Sequence, residues 1–200
     1  MGAQNNIDEI ILKNLGKNKF FVEAGGSDPR DQNNTELLEK NGWNGIIIEP
    51  KKEFNDLYRN LRPKSIIENY VLVSNGHKEE TIYGDFSHYM MGGVINIHNF
   101  DSWNPSEYPC ATLDKILKKN HIKEVDFFSL DVEGYENQVL KGINFNEVFF
   151  HVIVLEKHIV NGILDNFDYL INFGFDKKLE IKQHEFYINK NSDYKKTFNF

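Results

Sequence analysis

Two hundred residues with a mass of 23.4 kDa suit one domain, and 40% apolar with 14% aromatic residues is enough to fill a core. The charged fraction of 26% is the ordinary globular value and excludes a wholly disordered chain. A net charge of −7 argues against a nucleic-acid binder, and the lone Cys110 cannot form an internal disulfide, which suits a reducing compartment.

Ile7, Ile10, Ile11 and Leu15 have helical spacing, with Gly16 as the stop. Lys19 to Ala24 reads as a buried strand, Leu37 and Leu38 fall in a helix ending at Asn41-Gly42, and Gly45 to Glu49 is a second strand. A helix over Glu53 to Leu61 precedes a third strand within Ser65 to Val73. Thr81 to Phe86 is a short strand, and Tyr89 to Pro109 is irregular; a long irregular segment inside a compact domain is usually functional. Then come a helix from Thr112 to Asn120, a strand from Val125 to Leu130 and a short helix from Tyr135 to Lys141. The spacing predicts a strand from Glu147 to Leu155, a helix from Val160 to Phe173, and a closing hairpin of Phe175 to Ile181 with Glu185 to Asn189.

Alternating helices and all-apolar strands predict an α/β fold, a doubly wound and mostly parallel seven-stranded sheet with a C-terminal antiparallel hairpin, as a single domain over residues 1–200. The longest apolar run, Val148 to Leu155, contains His151 and falls short of the ~20 residues of a spanning helix. The N-terminus lacks the charged head and apolar stretch of a signal peptide, and Asn6 stands where a myristoylation signal needs Ser or Thr. The expectation is a cytoplasmic protein without membrane or nucleic-acid partners.

Ligands of such sheets bind at the carboxyl ends of the strands, where strand order reverses. Three clusters stand there. Glu23-Ala24-Gly25-Gly26-Ser27-Asp28 lets backbone approach a ligand closely, and the acid can hold an ammonium group. Glu49-Pro50 ends the second strand with a carboxylate able to accept from ribose hydroxyls. Asp131-Val132-Glu133-Gly134-Tyr135-Glu136 crowds three carboxylates into six residues, which points to function rather than packing.

These stretches resemble the FkbM family of S-adenosylmethionine-dependent methyltransferases. The matching residues are FVEAGGSDP (21–29), NTELLEKNGWNGIIIEP (34–50), TLDKIL (112–117) and VDFFSLDVEGYENQVLKG (125–142). Gly26, Ser27 and Pro29 depart from the family's usual glycine turn. The resemblance implies a class I, Rossmann-like O-methyltransferase. It places Glu23 and Gly25 on the methionine part of the cofactor, Glu49 on the ribose, and Asn69, Tyr70 and Val71 beside the adenine. Asp131 and Glu133 would face the sulfonium and the acceptor, with Asp131 as the first candidate base and His158 as the second.

No spacing demands a divalent metal, and Asp131 with Glu156 becomes a candidate pair only if the fold brings them together. His77, His88, His98, His121, His151 and His184 show no ligand spacing. The expected acceptor is a hydroxyl of a carbohydrate, free or in a glycan, with Tyr89, Phe100 and Trp103 available to stack on a sugar face. A polyketide or lipid acceptor is the first alternative, and a catalytically silent interaction domain the second.

Overall fold

A computed structural model describes residues 3–87, 92–94, 104–160 and 162–198. Tyr89, Phe100, Trp103, His88 and His98 lie outside the described residues. Seven strands build the main sheet: β1 (Phe20–Ala24), β2 (Asn44–Ile48), β3 (Ser65–Glu68), β4 (Glu124–Leu130), β5 (Phe149–Glu156), β6 (Phe175–Ile181) and β7 (His184–Asn189). Their order is β3-β2-β1-β4-β5-β7-β6. Only β7 runs against the others, pairing antiparallel with both β5 and β6. The doubly wound fold with its closing hairpin is therefore as the sequence predicts.

Among the described residues, five α-helices cover the two faces. On one face, α1 (Ile7–Leu15), α2 (Glu36–Lys40) and α3 (Lys52–Leu61) bring Ile7, Ile11, Leu38, Phe54 and Tyr58 against Phe21, Ile47, Phe127 and Val152. On the other, α4 (Leu113–Lys119) and α5 (Glu136–Leu140) pack Leu113, Ile116, Leu117, Val139 and Leu140 on Val22, Ile46, Phe128 and Ile153. Because both faces are covered, Ile46, Ile47 and Ile48 are all buried, and β2 is a continuous apolar run rather than an alternating one. Helix α4 opens on Thr112, whose Oγ1 accepts from the Lys115 N–H at 3.3 Å. Thr112→Ala is expected to cost about 1 kcal/mol of stability in denaturant unfolding, through the orphaned first-turn donor.

Two segments differ from expectation. The stretch expected as a third strand splits: Ser65–Glu68 stays in the main sheet, whereas Val71–Leu72 pairs with Ser106–Ala111 in a small second sheet. The break lies at Asn69, whose amide donates to the carbonyls of Glu49 and Pro50, each at 2.8 Å. Ser106–Ala111 also pairs antiparallel with Thr81–Asp85, so the end of the expected irregular segment is ordered as strand.

The second difference is a correction. Among the described residues of the expected helix Val160 to Phe173, only Asp168–Phe173 is helical, and it is 3-10. Ile159–Val160 and Ile163–Leu164 form an antiparallel hairpin, and Asp168–Phe173 is a 3-10 turn. Asn161-Gly162 separates two β-branched or apolar pairs, the strongest short-range hairpin signal, and it outweighs the helical spacing of the apolar residues. Among the described residues, no helix is long and apolar enough to cross a membrane.

Candidate active site

Register sets the site. Ala24 of β1 stands beside Ile48 of β2 and Leu130 of β4, so Gly25, Glu49 and Asp131 leave the sheet together at the point where strand order reverses. The Gly25 N–H donates to the Ile48 carbonyl and the Asp131 N–H to the Ala24 carbonyl, both at 3.1 Å. Gly25 has φ +78, and a Cβ there would stand 1.6 Å from the Asp131 carbonyl oxygen. Only glycine fits this approach.

A cavity of about 290 Å³ opens above these strand ends. Glu23, Ala24, Gly25, Gly26, Glu49, Pro50, Tyr70, Asp131 and Glu133, all expected from sequence, line it. Asn69 turns its amide to the backbone beneath Glu49-Pro50 instead, while its neighbours Tyr70 and Val71 line the wall. His158 stands behind Asp131, 3.9 Å from its Oδ1. Val132 and Tyr135 of the third cluster also line the cavity, as do Gln4, Asp31 and Gln32, which were not expected and whose spacing does not mark them.

The acids of the first two clusters are built into the turn. Glu23 is buried, its Oε1 accepting from the Asn34 N–H at 3.1 Å and its Oε2 from Thr35 Oγ1 at 2.7 Å and Asn33 Nδ2 at 3.1 Å. Arg62, also buried, donates to Asn33 Oδ1, Thr35 Oγ1 and Glu39 Oε2. Burial pushes the Glu23 carboxyl up, against the pull of Arg62. Glu49 accepts from the Ser27 N–H at 2.9 Å and the Lys51 N–H at 2.7 Å. Burial raises it to about 7, more than those two bonds lower it.

At the third cluster Glu136 is fully buried and its Oε1 accepts from the Val132 and Gly134 N–H groups, which fixes the turn that holds Glu133 at φ 54. A non-glycine residue in this left-handed region carries strain of about 1 kcal/mol, and such strain gathers at functional turns. Burial and the carboxylates of Glu156, Glu133 and Glu136 push Asp131 well above the ordinary range, and burial raises Glu133 to about 7. Burial would lower His158, but Glu156, Glu136 and Glu133 outweigh it and raise the imidazole to about 9. Asp165 holds the His158 backbone from both sides, its Oδ2 accepting from the His158 N–H at 3.2 Å and its own N–H donating to the His158 carbonyl at 2.9 Å.

Ser27 Oγ, Asp31 Oδ1, Asn34 Oδ1 and Asp131 Oδ1 are buried atoms without a hydrogen-bond partner, and all four belong to residues lining this cavity. Buried polar groups are usually paired, so four unpartnered atoms around one cavity are an arrangement that a polar ligand rich in donors could satisfy.

A family model for the methyltransferase FkbM domain matches residues 15–176. The chain belongs to the FkbM methyltransferase family. No curated protein matches it. Among solved structures, the FkbM domain is similar to a methyltransferase from Geobacter sulfurreducens, with 9% identity and a TM-score of 0.49, over 91% of this chain and 77% of that one. It is also similar to a TehB-like SAM-dependent methyltransferase from Corynebacterium glutamicum, with 11% identity and a TM-score of 0.45, over 91% of this chain and 84% of that one. At that likeness neither bears on what the FkbM domain acts on.

Proposed function

We propose that this FkbM domain methylates a hydroxyl oxygen of a sugar or glycan, using S-adenosylmethionine. The observation that carries the reading is the set of orphaned acceptors around a cavity bounded by Glu49 at one end and Asp131 at the other. The residues fit the cofactor: Asn34 Oδ1, backed by the Glu23 network, suits an ammonium group, and Glu49 suits two ribose hydroxyls. Tyr70 and Val71 offer an adenine wall. S-adenosylmethionine supplies a methyl group on a cationic sulfur, which passes to the acceptor oxygen as the carbon–sulfur bond breaks. Asp131 orients the acceptor hydroxyl and accepts its proton, Glu133 accepts from a neighbouring hydroxyl, and His158 supports Asp131 from behind.

A second reading, a less polar acceptor such as a polyketide or lipid, draws on the hairpin that follows His158. Its Ile159, Ile163 and Leu164 are 69%, 73% and 54% exposed, an apolar edge close to the proposed acceptor end. Incubation with methyl-labelled cofactor against glycan, free-sugar and lipid panels separates the two, and transfer to the lipid panel alone would exclude the sugar reading.

The state of Glu49 gives a pH prediction. Its folded value of about 7 lies above the ordinary 4.5, so protonated Glu49 favours the fold. That contribution is complete below 4.5 and is lost as pH rises through about 7. Ribose hydroxyls donate to the ionised form, so cofactor affinity should run the other way. It should rise up to tenfold per unit towards pH 7 and level off above. Calorimetric titrations across this range should show the slope in wild type and its loss in Glu49→Gln; equal slopes would remove Glu49 from the binding site.

A further inference from the structure

A cofactor with an amino-acid tail brings a carboxylate as well as an ammonium group, and the carboxylate needs donors. Among the described residues that line the cavity, Lys51 alone is basic. Its Nζ lies 4.6 Å from the centroid of the Phe54 ring, and its N–H is bonded to Glu49 at the ribose end. Arg30 does not line the cavity and pairs with Asp28, and Arg62 is buried on Glu39. Asn34 Nδ2 donates to Ser129 Oγ at 3.1 Å. Two side-chain amides remain. Gln4 and Gln32 both line the cavity, and neither side chain makes a hydrogen bond among the described residues.

Both amides come from the side of the sheet away from the adenine wall. Ala3, Ile7 and Ile11 pack with Leu38 of α2 on one face, whereas Tyr70 and Leu72 pack on the other. Gln32 directly precedes Asn33, Asn34 and Thr35, the residues that hold Glu23. Left-handed backbone sets both segments: Gln32 has φ 51, and Asn5 and Asn6, directly after Gln4, have φ 53 and 57. Non-glycine residues are strained there, and such strain persists where the surrounding structure uses it to position a group. Asn5 fixes the first segment, because its Nδ2 donates to His184 Nδ1 at 3.0 Å. His184 is buried, and burial lowers its pKa, so the neutral ring keeps that nitrogen as an acceptor.

We propose that Gln4 and Gln32 receive the carboxylate of the cofactor's methionine part through their side-chain Nε2 groups, with no cation paired to it. Charge explains the choice of residue. Glu23, Asp31, Glu49, Asp131 and Glu133 all line this cavity. A lysine or arginine among them would be drawn onto a carboxylate, whereas a neutral amide keeps its donors for the ligand. The buried acceptors Asn34 Oδ1 and Asp31 Oδ1 suit the ammonium group, so the two ends of the zwitterion are met by different residues. The assignment rests on the methyltransferase reading, and it adds the residues that select a cofactor with an intact amino-acid tail.

Two ligands separate this role from a structural one: S-adenosylhomocysteine, which carries the tail, and methylthioadenosine, which lacks it. The variants are Gln4→Ala and Gln32→Gly, the glycine being chosen because it tolerates the left-handed backbone. Calorimetric titration of the full chain, with folding checked by circular dichroism, should show each variant binding S-adenosylhomocysteine about tenfold more weakly than wild type. Gln4→Glu, which sets an acid against the ligand's carboxylate, should weaken it further. All three variants should bind methylthioadenosine as wild type does. Unchanged S-adenosylhomocysteine affinity in either folded amide-deletion variant, or an equal loss of both ligands, would overturn the proposal and leave the methyltransferase reading standing. Wild-type protein that binds neither ligand would overturn that reading, and this assignment with it.

Discussion

Asp131→Asn is expected to slow methyl transfer by about 10²–10⁴-fold, the usual loss on removing a general base, while cofactor affinity stays within a few-fold. The backbone of Asp131 is fixed by its N–H bond to the Ala24 carbonyl, so the side chain is presented from a rigid strand end. Asparagine keeps the shape and should keep the fold. The competing idea, that Asp131 merely caps the loop before Tyr135, fits the structure poorly. The loop amides of Val132 and Gly134 are taken by Glu136, which leaves Asp131 neither of them to cap. Transfer rate and cofactor affinity measured on one folded sample decide the matter. A rate within a few-fold of wild type moves the proton-accepting role to His158 or Glu156.

Glu49→Ala is expected to weaken cofactor binding by about 2–4 kcal/mol, or roughly 30- to 1,000-fold. Two charge-assisted bonds to ribose hydroxyls would be lost, together with the carboxylate that holds the Ser27 and Lys51 amides in place. Glu49→Gln separates these contributions, because its amide oxygen can still accept from one backbone N–H. The glutamine variant should fold with the wild-type cavity and bind with intermediate affinity at neutral pH. If it binds as tightly as wild type, the charge is irrelevant and Glu49 serves only to shape the turn.

The strand ends at the site were legible because β1, β2 and β4 are short apolar runs followed at once by Gly25, by Glu49-Pro50 and by Asp131. Apolar runs buried on both faces leave little doubt about a parallel sheet, and the turn residues then mark the edge where ligands bind. The hairpin formed by Ile159–Val160 and Ile163–Leu164 was hidden because its apolar residues also fit a helical period, which masks the Asn-Gly turn signal in the sequence. Long-range pairing was not legible at all. Glu23 reads as an ammonium ligand in sequence, yet its oxygens are occupied by Asn33, Asn34 and Thr35, braced by Arg62 from another helix end. The meeting of Asp131, Glu156 and His158 depends on the pairing of β4 with β5, which no local spacing encodes.

The central claim is that the cavity above β1, β2 and β4 is built for S-adenosylmethionine, and calorimetric titration with its demethylated product tests it most directly. Wild-type protein should bind one equivalent near neutral pH, and folded Glu49→Ala should bind at least about 30-fold more weakly. Folded wild-type protein that releases no heat and shows no binding, or a Glu49→Ala variant of unchanged affinity, would contradict the account.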